Sequence, residues 1–284
     1  MTSKTILFFA LILNACTTNT NKNISLTEVE LNSVRRLADL ETEKGEDFHK
    51  ADSLNNIVLN VDSSNYNVWK NKAIIDVHKK KYSSAIISIN KAINFSPNAY
   101  AYYIKGKIYD EMNLTDSAIF YFKKAFDIDS NPTYITAASE DLNKIGKYEE
   151  ALQLIELGIQ KNPKVLKMFA YKATYLVSLG MFENAIENYN LAEKEYKSDE
   201  LYSGRAIAYT NLDKMEEALS DLNTAISINP NDARYYDWRG LVKNNLYDVN
   251  GAFEDFKKSA DMGDVEGKEH LDKIQKKLKR FQGS

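Results

Sequence analysis

An alanine returns through this chain at a nearly constant interval. Ala85, Ala118, Ala151, Ala185, Ala218 and Ala252 are separated by 33, 33, 34, 33 and 34 residues. Seven positions after each stands a second small residue: Ala92, Ala125, Gly158, Ala192, Ala225 and Ser259. Self-similarity at such a period is the signature of a stacked repeat architecture, in which each unit buries its apolar face against its neighbours. That constrains the fold more than any other property. It also points function toward an extended holding surface rather than a deep converting pocket.

Setting each returning alanine as position twenty of its unit brings further columns into register. Position four is Trp69, Tyr102, Ile135, Phe169, Tyr202 and Tyr236; position eight is Ala73, Gly106, Ser139, Ala173, Ala206 and Gly240. Position twenty-four is Ile89, Phe122, Ile155, Tyr189, Leu222 and Phe256. Large residues facing small ones in this order fit two closely packed antiparallel helices, and the spacing of Ile86, Ile89 and Ile93 is helical rather than strand-like. Gly146 and Gly180 fall between the two helices of their units, where a left-handed residue ends the first helix. Pro97, Pro163 and Pro230 share one slot at the other boundary and Pro132 opens the next unit, so no proline interrupts a proposed helix.

The skeleton of Trp/Tyr, Gly/Ala, Ala, Phe/Tyr, Ala and Pro resembles the tetratricopeptide repeat (TPR) family. The resemblance implies an all-α, right-handed superhelical solenoid of antiparallel helix pairs. Six units cover residues 66–263, with departures at Asp76 and Lys243, where the family prefers the Tyr that Tyr109 and Tyr209 keep. Residues 27–65 read as a degenerate N-terminal repeat: Ala51 lies 34 residues before Ala85 and Gly45 falls near the inter-helix turn, but Asp39 stands where a small residue belongs. Residues 264–284 read as a charged capping helix with Leu271, Ile274 and Leu278 on one face.

The first residues carry a different signal. Lys4 precedes a short apolar run, Ile6 to Leu13, which is too short to span a membrane and reads as a signal peptide over residues 1–15. The run ends Leu13-Asn14-Ala15-Cys16, which resembles the lipobox of bacterial lipoproteins with Asn14 in place of the preferred small residue. Cys16, the sole cysteine, is the expected lipidation site for a palmitate-bearing anchor, and residues 16–26 form a polar tether. By the same resemblance, Thr17 rather than Asp after the cysteine implies the outer membrane, and the expected location is its periplasmic face. With Cys16 lipidated, no thiol remains for a disulfide, a nucleophile or a thiolate metal site.

Charge and chemistry narrow the function further. Removing residues 1–15 takes the formal charge from −3 to −4, and without a basic stripe a nucleic-acid role is not expected. The three histidines, His49, His78 and His270, fall in segments that solenoid order keeps apart, so no metal site is expected. The sequence holds no HExxH, phosphate-binding glycine loop or GxSxG, and Ser88-Ile-Asn-Lys91 lacks the partner motifs of an SxxK enzyme. The expectation is a non-enzyme with no cofactor and no small-molecule substrate. Glu140 and Asp141 are the least implausible acid and base if it were one.

Two sets of residues are singled out. Position seven is Lys72, Lys105, Lys172, Arg205 or Arg239 in five of six units, and position twenty-three is Asp221 or Asp255 in the last two. Planar guanidinium matched to carboxylate predicts Arg205–Asp221 and Arg239–Asp255 pairs bridging the helices of one unit. The family resemblance implies that first helices line a concave groove. Its partner-binding residues then include Lys70, Asn71, Tyr100, Tyr103, Lys107, Glu140, Tyr171, Ile207, Arg234 and Trp238. Tyr103, Tyr171 and Trp238 are the anchors of choice, since exposed Tyr, Trp and Arg dominate binding energies; partial burial between repeats is their bland alternative. Trp69, in the position-four packing slot, is expected in the core. The family's carboxylate clamp is not supported, because Ile74 and Ile104 replace its Asn residues beside Lys70.

The functional expectation is a lipid-anchored adapter that holds unidentified envelope proteins on its groove. Its alternative is a permanent subunit of an outer-membrane or pilus/secretion assembly machine, which should expose a contiguous apolar patch.

Overall fold

A computed structural model describes residues 27–282. Among the described residues there are 15 helices and no strand. The chain divides into two compact units, one ending at Tyr134 and the other beginning at Ile135. The first contains α1 (Glu28–Lys44), α2 (Phe48–Val61), α3 (Tyr66–His78), α4 (Tyr82–Phe95), α5 (Ala99–Glu111) and α6 (Thr115–Asp129). The boundary falls inside α7 (Pro132–Lys144). The second unit continues with α8 (Tyr148–Lys161), α9 (Lys167–Ser178), α10 (Phe182–Ala192), α11 (Asp199–Asn211), α12 (Met215–Ile228), α13 (Ala233–Asn245), α14 (Val249–Asp261) and α15 (Val265–Gln282). Residues 1–26, which hold the proposed signal peptide, Cys16 and the tether, lie outside the described residues.

The two helices of a repeat begin by different means. Most first helices carry side-chain caps, the one opening after Leu166 excepted: Asn65, Asn98 and Ser198 accept from the backbone amides of Val68, Ala101 and Leu201. Each satisfies an orphan donor of the first turn. Most second helices, those opening after Lys81, Leu114, Lys147, Met181 and Lys214, have no such side-chain bond. Their start is set by how the preceding helix ends. One residue at a shared slot adopts positive φ: Lys80, Asn113, Gly146, Gly180, Asp213 and Tyr247. In repeat one the Lys80 amide bonds the Val77 carbonyl and the Lys81 amide bonds the Asp76 carbonyl, the paired closure of a Schellman motif. The same pairing recurs at Gly146 and Lys147, and at Tyr247 and Asp248. Gly146 and Gly180 occupy this slot at no steric cost, whereas Lys80 and Tyr247 hold a conformation that a Cβ disfavours.

The returning alanines are all fully buried. They let the paired helices approach, while position twenty-four fills the space between them. At position eight the approach is close: a Cβ on Gly106 would sit 2.5 Å from Phe122, and one on Gly240 would sit 2.6 Å from Phe256. Glycine there is a packing requirement. In the first unit the core gathers Ala73, Ile89, Ala101 and Ile108; in the second a larger one gathers Ala173, Tyr189, Leu201 and Tyr235.

Two packing expectations change. Trp69 is not a core residue. It packs on the edge of its cluster, with its indole N–H donating to the Ser63 carbonyl at 2.8 Å and Lys91 Nζ 4.0 Å from the ring centre. A polar N–H at the end of so large a ring draws it to the boundary, where a carbonyl is free. In the N-terminal repeat the small buried residue is Ala38, one position before Asp39. Asp39 instead accepts a 2.8 Å bond from Asn71.

Candidate partner-binding site

The first helices present the groove residues unequally. In the first unit Tyr100 is half exposed, and Tyr103 is partly covered by Phe122 and Tyr134 at ring distances of 5.6 and 5.0 Å. Lys107 pairs with Asp110 on its own helix at 2.7 Å. Lys70 is largely covered, its Nζ 3.9 Å from Asp39. Asn71 is not a groove residue: it is 1 % exposed and donates to both Asp39 and the buried Asn55. An amide whose donors are all taken inside the protein has none to offer a partner. Ile104, assigned to the same face by position, is buried as well.

The second unit builds a cleft. Its volume is about 250 Å³, and its walls are Glu140 from α7, Lys167, Ala170, Tyr171 and Thr174 from α9, Tyr189 from α10, Tyr196 from the following loop, and Glu200 and Leu201 from α11. Three successive first helices therefore contribute. The floor is rigid: Leu201 and Tyr189 are buried, and the Tyr189 hydroxyl meets Thr174 Oγ1 at 3.1 Å. Burial pushes the Tyr189 phenol up to about 12, against the bond from Thr174. The Tyr171 phenol is raised too, first by burial and then by the neighbouring Glu140 carboxylate, to which its hydroxyl is hydrogen bonded. Burial raises the Glu140 carboxyl above its usual range, more than Lys144, the Tyr171 hydroxyl and Lys167 lower it. These phenols stay protonated at neutral pH and act as hydrogen-bonding walls rather than proton carriers. Lys167 Nζ lies over two rings of the cleft, 5.6 Å from the centre of Tyr171 and 5.1 Å from that of Tyr196.

The remaining groove residues lie further along the second unit. Trp238 is half-buried beside Tyr235, with the Arg234 guanidinium 5.8 Å from its ring centre. Arg234 is held by Asp232. Ile207 is partly buried. Asp141 is buried, with one carboxylate oxygen 2.6 Å from Lys144.

Behind the groove stands the ionic framework. Arg205 Nε and Nη2 donate to the two Asp221 oxygens at 2.7 and 2.9 Å, and Nη1 donates to Asn190 and Glu193 at 2.6 Å. Arg239 grips Asp255 through Nε and Nη2 at 2.8 and 2.6 Å and reaches Asn223 with Nη1. Desolvation works against the Arg205 charge, but its hydrogen bonds to Asp221 and Glu193 outweigh it and strengthen the guanidinium's hold on its proton. Each arginine thus ties three helices together.

The cleft residues that sequence reasoning missed are Ala170, Tyr189, Tyr196, Glu200 and Leu201. Tyr196 sits between helices, outside the first-helix positions that define the groove. Glu200 shares position two with Lys167, so that column held the signal.

The tetratricopeptide repeat family model matches residues 99–132 and 199–232, the pairs α5–α6 and α11–α12. The chain carries tetratricopeptide repeats. Its TPR sequence is 26 % identical over 226 residues to the wheat (Triticum aestivum) Hsp70-Hsp90 organizing protein, covering 75 % of this chain and 38 % of that protein. It is 25 % identical over 194 residues to the Caenorhabditis elegans stress-induced-phosphoprotein 1, covering 65 % and 58 %. The TPR chain thus spans less than two thirds of these relatives. A tetratricopeptide repeat protein from Parabacteroides merdae superposes with a TM-score of 0.62 at 20 % identity, over 86 % of this chain and 98 % of that one. PilW, a type IV pilus biogenesis factor, superposes at 0.58 and 18 % identity, over 72 % and 96 %. At these identities the structural likenesses show the fold.

Proposed function

We propose that the protein is a non-catalytic TPR scaffold, anchored by lipid on Cys16 at the periplasmic face of a bacterial outer membrane, that grips a segment of a partner protein on its first-helix face. The observation that carries the reading is the cleft of the second unit, where three first helices converge side chains suited to recognition. At about 250 Å³ it has room for one protruding side chain, and it falls below the usual size of small-ligand sites. The wheat relative is, by its name, an organiser of two other proteins, which supports a scaffold. Its partners do not carry over, since Ile74 and Ile104 stand where a chaperone-tail clamp needs Asn.

The test is photocrosslinking in the native cell, with the probe at Tyr171, Trp238 or Tyr103 and a control at exposed Glu183. One recurrent product from the groove probes, absent from the control, is expected. Products from the control alone would overturn the groove. Radiolabelled palmitate should enter the protein and be lost in Cys16→Ser; equal labelling of both would overturn the anchor.

One observation favours the alternative of a permanent assembly subunit. Ile87 and Phe95 on α4, and Phe120 and Ile128 on α6, are each about half exposed on second helices of the first unit. A subunit that buries these residues in an assembly should self-associate once released, whereas an adapter should sediment as a monomer. Sedimentation of the full chain with Cys16→Ser separates the two.

A further inference from the structure

The cleft of the second unit already contains a cation of the protein's own. Lys167 Nζ lies over both Tyr171 and Tyr196 within the range of cation–π attraction. The Lys167 side chain enters from an exposed position at the first turn of α9. It is paired with no carboxylate at salt-bridge distance among the described ion pairs. Beneath it the Glu140 carboxylate is half-buried on α7, and Glu200 stands at the rim on α11. Aromatic faces carry partial negative charge, so the walls add to the two carboxylates. With Lys167 withdrawn to solvent, the cleft is an aromatic box with two acids and no base.

We infer that this cleft is a specificity pocket for a basic side chain, arginine above all, on the partner segment, and that Lys167 is a resident surrogate which the incoming guanidinium displaces. This deepens the scaffold reading and rests on it. A flexible lysine at a helix start is an inexpensive occupant: it shields the rings in the free protein and leaves by rotation about its own side-chain bonds. A planar guanidinium fits better on two counts. It stacks on a tyrosine face, and its fork of donors reaches the Glu140 carboxylate while an edge remains over a ring. The volume suits one such side chain, and the rigid floor of Leu201 and Tyr189 sets its depth. The sign is opposite to that of the chaperone-tail clamp, which needs cationic and amide groups.

Displacement makes a prediction that a simple acidic patch does not. Removing Lys167 should tighten the site, not merely alter its charge. The probe is N-acetyl-arginine amide, titrated into the full chain carrying Cys16→Ser with ¹³C-labelled tyrosine rings. Tyr171→Phe and Tyr196→Phe variants assign the two resonances. Saturable shifts of Tyr171 and Tyr196 in the millimolar range are expected. Binding should tighten about threefold in Lys167→Met, the scale of a lost competing cation–π contact. It should weaken about tenfold in Glu140→Gln, which keeps the hydrogen bond to Tyr171 and removes the charge. N-acetyl-citrulline amide, neutral and of the same shape, should shift neither ring. Three outcomes overturn the inference: no shift with arginine amide at about 20 mM, equal shifts with citrulline amide, or weaker binding in Lys167→Met. Groove crosslinks that persist alongside such a result would retain the scaffold and discard only the basic-residue specificity. Loss of both would discard the groove.

Discussion

The first two repeats and the last two solve one problem with different chemistry. Position seven of the first helix carries a cation in both places. In repeat one Lys72 reaches back to Asp52 and Asn56 on α2, each at 3.0 Å. In repeat two Lys105 reaches back to Asn90 on α4 and lies 4.4 Å from the ring centre of Tyr121. Tyr121 occupies position twenty-three, the slot that holds Asp221 and Asp255 in repeats five and six. There the cation becomes arginine, which forks forward to the aspartate and backward to the preceding repeat at once. An ammonium is a compact point charge; a guanidinium presents donors in several directions from one plane. Arginine at seven goes with aspartate at twenty-three in repeats five and six, whereas the lysines of repeats one, two and four face Ser88, Tyr121 and Asn188 in that column. The later repeats gain a framework that fixes three helices, and the earlier ones a looser contact.

The sharpest way to break this comparison is to remove one partner of the buried fork. Asp221→Ala leaves a largely buried guanidinium facing an apolar gap, a loss on the order of 3 kcal/mol since Glu193 still holds one end. Lys105→Met, the matching change that takes the cation off the Tyr121 ring, should cost about 1 kcal/mol or less. Urea midpoints of the two variants, read from tyrosine fluorescence and far-UV dichroism, measure the difference. Equal losses would mean that the two chemistries carry equal weight.

The next comparison should show no difference. Gly106 in repeat two and Gly240 in repeat six occupy the same packing slot, with an added Cβ 2.5 and 2.6 Å from the facing phenylalanine. Alanine at either position forces Phe122 or Phe256 aside, at a cost of about 2 kcal/mol in each case. A much larger effect at one of them would show that the backbone framework, and not only the ionic one, diverges between the repeats.

The turn slot divides the repeats again, with a smaller effect. Asn113 and Tyr247 both hold positive φ, at 57° and 61°. Asparagine tolerates that region and tyrosine does not. Tyr247 is also 90 % exposed, so its ring gains little in return. Tyr247→Gly should stabilise the protein by about 1 kcal/mol, and Asn113→Gly should be near neutral. A thermal midpoint that rises only in the first variant is the expected result.

The repeat, its helix pairs and the Arg–Asp forks could all be read from the sequence, because each is a column: the same position recurs, and the physical constraint on it recurs too. Trp69 and Asn71 could not. Trp69 stands in a packing column, but its indole N–H turns to the Ser63 carbonyl six residues earlier, as the Tyr236 hydroxyl turns to that of Pro230 in repeat six, so the polar end of the ring and not the column sets its place. Asn71 stands in a groove column, yet the degenerate first repeat offers it Asn55 and Asp39, so it turns inward. The cleft was half legible. Glu140, Tyr171 and Lys167 lie on first helices, whereas Tyr196 comes from a loop with no counterpart column. What repetition encodes is legible by alignment; what one repeat does alone depends on neighbours that only the folded chain brings together.

The smallest expected effect tests the lysine side of the comparison by pH. Asp52 accepts from Lys72 and Lys79, each at 3.0 Å. Burial alone would raise its carboxyl, but the two lysines outweigh it and hold the folded pKa below the ordinary value of 3.8. The unfolded chain therefore takes up this proton first as pH falls. The stabilisation is full above the unfolded value and disappears as pH drops through the lowered folded one. Lys72→Met with Lys79→Met should remove that component, costing less than about 1 kcal/mol at neutral pH, because all three side chains keep a quarter to a third of their surface in water. The variant and the parent should converge once pH has fallen through the lowered folded value, where Asp52 is protonated in both states. Added salt should narrow the gap at pH 7, since an accessible pair is screened. The gap produced by Asp221→Ala should hold nearly constant over the same salt range, because that fork lies largely out of water. A salt response of equal size at both sites would remove the distinction between the point charge and the fork on which the comparison stands.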